Sequence, residues 1–271
     1  MAMVVQHNLR AMNSNRMLGV NTSTVAKSTE KLSSGYKINR AADDAAGLSI
    51  SEKMRRQIRG LTQASANAQD GLSMVQTAEG ALNEVHDMLQ RMNELAVKSS
   101  NGTLQSEDRD YIQKEVDQLV AEIDRTAQNT TFNKMQLLDN NDAVTLQVGT
   151  EQGHVITFNR EKVDAAGLSI NGLQMNDMTS ASAAINTIDA AIQKVSGLRA
   201  NLGAVQNRLE HTINNLDNVA ENTTAAESRI RDTDMATEMV KYSNTQILQQ
   251  AGQAMLAQSN QANQGVLSLL Q

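Results

Sequence analysis

The chain has 271 residues, a net charge of −6, no cysteine, no proline and no tryptophan, and aromatic residues make up only 2% of it. Without cysteine there are no disulfides, thiolate metal sites or cysteine nucleophiles, and the scarcity of aromatic residues disfavours a deep ligand pocket. An acidic chain without a basic stripe is a poor nucleic-acid binder, and no stretch approaches the roughly 20 apolar residues of a membrane span. We therefore expect no cofactor, no nucleic-acid partner and no membrane partner.

The amino-terminal segment differs from a cleaved export signal. A short apolar run, Met1–Val5, leads into polar residues without the basic region and longer apolar core of a Sec-type signal peptide. Either the protein stays in the cytoplasm or it leaves by a route that uses no cleaved signal. Because this segment has few large apolar side chains, we expect it to be disordered alone and helical only against a partner.

A long helix is predicted after the acidic pair Asp43 and Asp44. The pair, with Gly47 close behind, stands where acidic residues favour a helix start. Apolar residues then recur at alternating steps of three and four, the spacing of a coiled-coil seam. The predicted inward residues are Met54, Ile58, Leu61, Ser65, Ala68, Leu72, Val75, Ala78, Leu82, Val85, Leu89, Met92 and Ala96. A helix from about residue 50 to residue 98 predicts an elongated antiparallel helical rod.

A second helix and a hairpin are predicted next. Asn101-Gly102 ends the long helix, and Ser106 is the expected N-cap of a helix whose inner face carries Ile112 and Val116. Residues 143–148 and 155–158 alternate apolar and polar side chains on either side of a turn-like segment. This pattern predicts a β-hairpin at about residues 143–160.

The carboxy-terminal part returns to helical spacing from Ile185 and continues more weakly to the end. Its last stretch is rich in Gln, Asn and Ala, so we expect it, like the start of the chain, to become ordered only on assembly. An apolar cluster at the end, Val266, Leu267, Leu269 and Leu270, is a candidate assembly anchor. The string DAAGLSI, found at residues 44–50, recurs at residues 164–170, where it follows the hairpin and is predicted to lead into a turn.

Motifs for catalysis or metal binding are missing from the sequence. His7, His86, His154 and His211 are scattered, and none belongs to an HExxH arrangement. No Walker A or GxGxxG motif occurs. The basic cluster Lys53, Arg55, Arg56 and Arg59 is either a solvated face or a charged contact with another subunit. An enzyme is therefore not expected.

Three long strings resemble the bacterial flagellin family. They are LSSGYKINRAADDAAGLSISEKMRRQIRGL from Leu32 to Leu61, and, near the other end, ENTTAAESRIRDTDMATEMVKYSNTQILQQAG and NQGVLSLL. The resemblance implies a layout in which residues 1–43 and 225–271 pair as helices of the inner filament core. Residues 44–224 would form the adjoining rod domain with the hairpin packed on it, and there would be no variable outer domain.

The resemblance implies a filament subunit outside the cell. It implies self-association into a helical homopolymer that serves motility, after export through the flagellar type III apparatus. The implied partners are the filament cap, the hook–filament junction proteins and a C-terminal export chaperone. Heterologous contacts that do not close into a ring generate such an open filament.

The resemblance also includes a receptor-binding segment. Residues 90–98 read QRMNELAVK and are similar to the segment of some flagellins that Toll-like receptor 5 recognises. Gln90, Arg91, Glu94 and Leu95 lie in it, and Ile112 and Glu115 match the contact on the neighbouring helix. The resemblance therefore implies that the chain is a ligand of this receptor. A hook–filament junction protein, which has related end helices, is the alternative function.

Overall fold

The computed structural model of the protein describes residues 8–268, with side chains described as far as residue 262. Over this range the chain forms five α-helices and two small antiparallel strand pairs. The helices are α1 (Leu9–Ser34), α2 (Ala45–Ser99), α3 (Ser106–Asn129), α4 (Met178–Arg231) and α5 (Met235–Ser268), and the strands are β1 (Thr131–Phe132), β2 (Met135–Gln136), β3 (Ala143–Gln147) and β4 (Val155–Asn159). This architecture confirms a mainly helical fold with a small β-hairpin.

The chain divides into two compact units. The central unit comprises Gln57–Glu221, and the terminal unit comprises Met1–Arg56 together with Asn222–Gln271. The terminal unit therefore contains both ends of the chain. The two units differ in how their interiors are built.

The interior of the central unit consists of the apolar stripes of α2, α3 and α4. Because the chain has no proline, α2 and α4 can extend over 55 and 54 residues without interruption. Every predicted inward residue of α2 is buried or half-buried. The largest fully buried side chains include Leu82, Leu89, Met92, Ile123, Ile188 and Leu209.

Helix α2 buries a second stripe that the sequence pattern missed. Ala64, Met74 and Leu95 are also in the core. Within the central unit, α2 contacts both α3, through the Arg91–Glu115 ion pair, and α4, through a hydrogen bond from Ser65 to Asp217. A helix with two neighbours needs a wider apolar face than a single coiled-coil seam provides.

The predicted hairpin is formed by β3 and β4, and it packs on glycines of α2. Leu146 and Phe158 lie on the inner side of the antiparallel pair. A Cβ at Gly71 would collide with the side chain of Leu146, and one at Gly60 would lie 2.7 Å from Cγ2 of Thr150. Glycine at these two positions therefore lets the hairpin approach the helix closely.

The start of α3 corrects one prediction. Ser106 was expected to be the N-cap, but the helix begins at Ser106 and Gln105 occupies the cap position. The carboxylate of Asp108 accepts a hydrogen bond from the Gln105 backbone N–H at 3.1 Å. This return contact satisfies one exposed donor at the helix start and shifts the boundary by one residue.

A break that the sequence reasoning missed separates α4 from α5. Thr233 lies in the break, where its backbone N–H donates to the carbonyl of Gly35. Asp234 then accepts hydrogen bonds from the backbone of Ala236 and from the hydroxyl of Thr237. The local signal is the sequence Asp-Thr-Asp at residues 232–234, because aspartate is a preferred N-cap.

Candidate functional site

Helix α5 faces α1 with a seam of polar and small residues. The half-buried positions of α5 follow alternating steps of four and three, as in a coiled coil. They are Glu238, Tyr242, Thr245, Gln249, Gly252, Leu256 and Ser259. A heptad seam normally carries large apolar residues at these positions, and here Leu256 is the only aliphatic one among the seven.

Helix α1 contributes a matching seam. Its half-buried or buried positions include Ala11, Ser14, Leu18, Asn21, Val25 and Ser28. Across the seam, the side chain of Asn8 donates to the carbonyl of Ser259 at 3.2 Å, and Gln249 donates to the hydroxyl of Thr22 at 3.3 Å. Leu18 lies opposite Gly252, 3.5 Å from where a Cβ would stand. Polar contacts and small residues therefore hold the pair together in an antiparallel register.

Most of the large apolar residues of these two helices lie on the outside. We define the outer apolar surface as the residues that are 47–69% exposed on α1 and α5, namely Leu9, Met12, Met17, Val20, Met235, Met239, Val240, Ile247, Leu248 and Met255. Among the described side chains of the terminal unit, Ile38 is the one buried hydrophobic residue. The usual distribution of apolar and polar residues is thus inverted in this unit.

Such an inversion has a physical consequence. Soluble monomers rarely expose contiguous large apolar patches, and exposed patches mark surfaces that bind other molecules. Moving the residues of the outer apolar surface out of water would lower the free energy by about 25 cal/mol per Å² of apolar area that is buried. The terminal unit therefore resembles half of an interface more than an independent domain.

The residues expected at the start of the long helix lie in a tight turn before α2. Asp44 Oδ1 accepts from the Gly47 backbone N–H at 2.9 Å, as an N-cap does. Asp43 Oδ2 accepts from the backbone N–H groups of Arg40 and Asn39, and these hydrogen bonds lower the pKa of Asp43 below 3.8. A Cβ on Gly47 would lie 2.8 Å from Ile38 Cδ1, so glycine is needed for close packing.

A polar cluster connects the segment after α1 with the end of α4. The Arg231 guanidinium lies 4.7 Å from the centre of the Tyr36 ring and donates to Glu52 at 2.8 Å. The buried hydroxyl of Ser51 donates to Glu227 at 2.8 Å. Charged and aromatic contacts thus take the place of an apolar core between the segment after α1 and the end of α4. They stabilise the positions of the chain at these two points.

The residues predicted for receptor binding separate into two groups. Gln90, Arg91, Glu94 and Glu115 are exposed on α2 and α3. Arg91 donates to Glu94 at 2.9 Å and to Glu115 at 3.0 Å, and these two hydrogen bonds raise the pKa of Arg91. Leu95 and Ile112, by contrast, are only 2% and 6% exposed, because they belong to the core of the central unit.

The predicted terminal anchor lies beyond the side chains that the structure describes. Leu269 and Leu270 fall outside the described residues, and Val266 and Leu267 lie where only the backbone of α5 is described. The anchor therefore stays a prediction from the sequence.

In the central unit, parts of α2, β4 and α4 line a cleft of about 310 Å³. Its apolar lining includes Leu82 and Val205, and its polar lining includes Arg160, whose guanidinium donates to the carbonyl of Gln136. Among the residues that the structure describes, no group of three or more His, Asp or Glu side chains is placed to hold a metal ion. Over the same range, no helix is both long and apolar enough to cross a bilayer.

Two family models match most of the chain. The bacterial flagellin N-terminal helical region matches residues 5–143, and the bacterial flagellin C-terminal helical region matches residues 185–270. These segments include α1 to α3 and nearly all of α4 and α5.

Individual proteins that this chain resembles are flagellar filament proteins as well. The chain is 56% identical to a flagellin of Halalkalibacterium halodurans over 271 residues, covering 99% of this chain and 100% of the relative. It is 50% identical to the flagellar filament 33 kDa core protein of Treponema phagedenis over 285 residues, with 99% and 100% of the two chains covered.

A solved structure, that of Bacillus cereus flagellin, has 34% identity and a TM-score of 0.51, and the match covers 60% of this chain and 94% of that one. Flagellin is a structural protein of the filament and not an enzyme. This chain therefore belongs to the flagellin family and is a structural subunit of the flagellar filament, into which it polymerises.

Proposed function

We propose that copies of this chain polymerise through the outer apolar surface of α1 and α5. The observation that carries this proposal is the inverted seam: most of the residues between the two helices are small or polar, while Leu9, Val20 and Ile247 are more than half exposed. Burying this surface against other subunits would supply the apolar contacts that the chain lacks by itself. Because the contact joins different faces of successive copies, it can repeat without closing.

The same observation supports a coupling between assembly and order. The terminal unit buries Ile38 but, among its described side chains, no other hydrophobic residue, so it gains little hydrophobic free energy from its own packing. A segment in this situation folds where a partner completes its core, and its stability depends on subunit concentration. We propose that residues 1–43 and 225–271 form the inner filament core in this way, beside an adjoining domain of residues 44–224 and without a variable outer domain.

The weak internal packing of the terminal unit also bears on how the subunit is exported and delivered. A terminal unit that unfolds at low cost suits passage through the flagellar type III apparatus without a cleaved signal peptide. A C-terminal export chaperone would cover the exposed apolar residues of α5, such as Ile247 and Leu248, before assembly. The filament cap and the hook–filament junction proteins would then contact the ends of the growing polymer outside the cell.

A second role, as a ligand of Toll-like receptor 5, is supported by the exposed ion-pair cluster of the central unit. Arg91 pairs with both Glu94 and Glu115 in the unbound chain, which favours one orientation of its side chain before any partner arrives. Gln90 lies beside it and donates to His86 across one helical turn. Leu95 and Ile112, which are buried, would act only by supporting this surface.

A hook–filament junction protein is the alternative function, since its end helices are related. The full-length identity with filament proteins favours a filament subunit over a junction protein. Elongation distinguishes the two, because a filament subunit extends seeds into long filaments and a junction protein does not.

The assembly proposal is tested by placing a charge on the outer apolar surface. We expect Val20→Glu and Ile247→Glu each to raise the critical concentration for seeded filament growth. A buried unpaired carboxylate costs about 3 kcal/mol or more, which corresponds to roughly a 100-fold change. Elongation can be followed by sedimentation and by electron microscopy.

Met178→Glu is the matched control. Met178 is 54% exposed on α4 in the central unit, so the substitution introduces the same charge at a similarly exposed apolar residue outside the proposed surface. We expect this variant to elongate seeds much better than the other two. Equal elongation by all three variants and the parent chain would rule out the outer apolar surface as the assembly face.

A further inference from the structure

Two groups of methionines in this chain differ sharply in exposure. Fourteen methionines occur in the sequence. In the central unit, Met74, Met92 and Met175 are at most 4% exposed. On the terminal unit, five methionines are 47–63% exposed, namely Met12, Met17, Met235, Met239 and Met255. These five, which we name the thioether set, form half of the outer apolar surface.

Methionine at an exposed interface position has a chemical liability that leucine or isoleucine lacks. Its thioether sulfur is oxidised to a sulfoxide, which turns a flexible apolar side chain into a polar one. Met74, Met92 and Met175 are shielded by the core of the central unit, whereas the thioether set is open to solvent while the chain is unassembled.

We propose that the thioether set is an oxidative modification site at which a peroxide blocks polymerisation of the free subunit, reversibly. This inference rests on the proposed function of the outer apolar surface. It adds a chemical class of modifying agent, a two-electron oxidant such as hydrogen peroxide, and it assigns the effect to five named side chains.

The chemistry balances with hydrogen peroxide as the only co-reactant. A sulfur lone pair attacks one peroxide oxygen, an S–O bond forms and the O–O bond breaks. The departing hydroxide takes the proton from the transferred oxygen, which gives one sulfoxide and one water. Sulfur is oxidised by two electrons and the peroxide is reduced by two. In a separate step, a methionine sulfoxide reductase with a dithiol as reductant reverses the change: the sulfoxide takes up two electrons and two protons to give the thioether and one water, and the dithiol becomes a disulfide.

The effect on assembly follows from desolvation. A sulfoxide oxygen is a strong hydrogen-bond acceptor, and burying it in an apolar contact without a donor is unfavourable. Met12 and Met17 lie on the face of α1 that carries Leu9 and Val20, so oxidation places polar groups among the residues that must leave water. Within the free subunit the modification removes few contacts, because these side chains are already exposed.

The first experiment maps the modification on the full-length subunit. The monomer is treated with dilute hydrogen peroxide, quenched with free methionine and digested, and peptides are examined for the added mass of one oxygen. We expect the thioether set to oxidise well before Met74, Met92 and Met175. Met135 and Met178, which are exposed in the central unit, report how far the oxidant has acted.

The second experiment measures function. Oxidation should raise the critical concentration for growth on parent seeds at least about tenfold, and so slow elongation at a fixed monomer concentration, since burying a few sulfoxides costs more than the 1.4 kcal/mol that a factor of ten requires. Treatment with both methionine sulfoxide reductases should restore the rate. Oxidised monomer that elongates as fast as untreated monomer would overturn the inference.

Leucine variants test whether the thioether set is what makes elongation sensitive to peroxide. A chain with leucine at all five positions keeps similar volume and polarity, so it should elongate seeds and should do so after peroxide treatment as well. A control chain with leucine at Met135 and Met178 should stay sensitive. If the five-leucine chain is as sensitive as the parent, the site lies elsewhere, for example at Met1 or Met3, and the assignment is wrong.

The outcomes separate this inference from the proposed function. The charge substitutions at Val20 and Ile247 test the assembly surface without any oxidant. If those variants fail to elongate but peroxide has no effect on the parent chain, the surface stands and the oxidative site is rejected. If a five-leucine chain does not elongate even untreated, two partial variants replace it, with leucine at the two methionines of α1 or at the three of α5. If neither is more resistant to peroxide than the Met135 and Met178 control chain, the site is rejected.

Discussion

The buried hydroxyl of Ser28 donates a 2.5 Å hydrogen bond to the carboxylate of Glu238, and this contact joins α1 to α5. Ser28 is 1% exposed, and the Glu238 side chain is 12% exposed, with Lys241 3.8 Å away. Hydrogen bonds to an ionised acceptor are stronger than neutral ones. In a seam with few apolar contacts, this bond is a main determinant of the register between the two helices.

We expect Ser28→Ala to loosen the terminal unit, because it leaves the half-buried Glu238 carboxylate without its donor. The cost should be about 1–3 kcal/mol. Hydrogen exchange should become faster in α1 and α5 and stay unchanged in α2 to α4 of the central unit. Ser23→Ala, at an exposed position of the same helix, is the control and should not accelerate exchange. The same exchange rates in both variants would show that the Ser28–Glu238 bond contributes nothing.

Alanine in place of two different glycines of α2 should have opposite effects on the stability of the central unit. Gly71→Ala should destabilise the central unit by about 1–3 kcal/mol, because the new Cβ collides with Leu146 and displaces the hairpin. Gly80→Ala should stabilise it by up to about 1 kcal/mol, since nothing lies within 4 Å of a Cβ there and alanine is the better helix former. Urea unfolding measures both, and a stabilising Gly71→Ala would contradict the close packing of the hairpin.

The turn before α2 should depend on pH through Asp43. The pKa of Asp43 in the folded chain lies below its ordinary value of 3.8, because the backbone N–H groups of Arg40 and Asn39 donate to the ionised carboxylate. Its stabilising contribution is therefore complete above pH 3.8 and is lost as the pH falls through the lower folded pKa. The protection of the Asn39 and Arg40 amides against exchange, measured relative to the intrinsic rate at each pH, should fall over this acidic range. Asp43→Asn should remove the pH dependence, and its persistence in that variant would assign it to another group.

The proposed receptor surface predicts a difference between Arg91 and its neighbours. Arg91→Ala should weaken binding to Toll-like receptor 5 by about tenfold or more, since arginine is enriched among the few residues that carry most of the binding energy of an interface. The fold should be unaffected, because Arg91 is exposed. Asn93→Ala should weaken binding less. Binding of purified receptor ectodomain to monomer measures this, and equal losses for both variants would contradict the assignment.

Leu95 tests whether a buried residue of the receptor segment acts directly. Leu95→Ala should lower the stability of the central unit by about 2–5 kcal/mol, because it removes a core side chain. Any loss of receptor binding should then scale with unfolding and disappear at temperatures where the variant is fully folded. Binding that falls while thermal unfolding is unchanged would place Leu95 in direct contact with the receptor.

The carboxy-terminal cluster predicts an assembly defect without a folding defect. Removing residues 266–271 deletes Val266, Leu267, Leu269 and Leu270, and we expect the central unit to keep its thermal unfolding midpoint while seeded elongation is impaired. Circular dichroism and sedimentation test the two parts separately. Filament growth at the parent rate would exclude the cluster as an anchor.

Periodicity located the core of the central unit but not the candidate site. Ile112 shows why: it lies on the apolar stripe of α3, so the pattern that predicted a helix also placed its side chain inward, and the structure has it buried. In α5 the same reasoning fails, because Ile247 and Leu248 lie outside and Gln249 lies in the seam. This inverted pattern is what we expect if, as we propose, the apolar residues of α5 find their contacts on other copies of the chain.

The two copies of DAAGLSI separate what local sequence determines from what tertiary structure decides. Asp44 Oδ1 accepts from the Gly47 N–H at 2.9 Å, and Asp164 Oδ1 accepts from the Gly167 N–H at 2.7 Å. In both copies the following leucine N–H then donates to the aspartate carbonyl, at 3.0 Å and 2.9 Å. The sequence by itself therefore determines one capped helical turn, because aspartate and glycine at this spacing satisfy the first backbone donors.

Only the surroundings decide how that turn continues. The first copy extends into α2, which has 55 residues and whose apolar stripe is buried in the core of the central unit. The second stops at Ser169, whose φ of 59° is left-handed. There, Asp124 accepts from the Ala165 N–H, and Ile170 is fully buried. Local hydrogen bonds start a helix, but burial of the next side chains determines whether extending it costs or gains free energy.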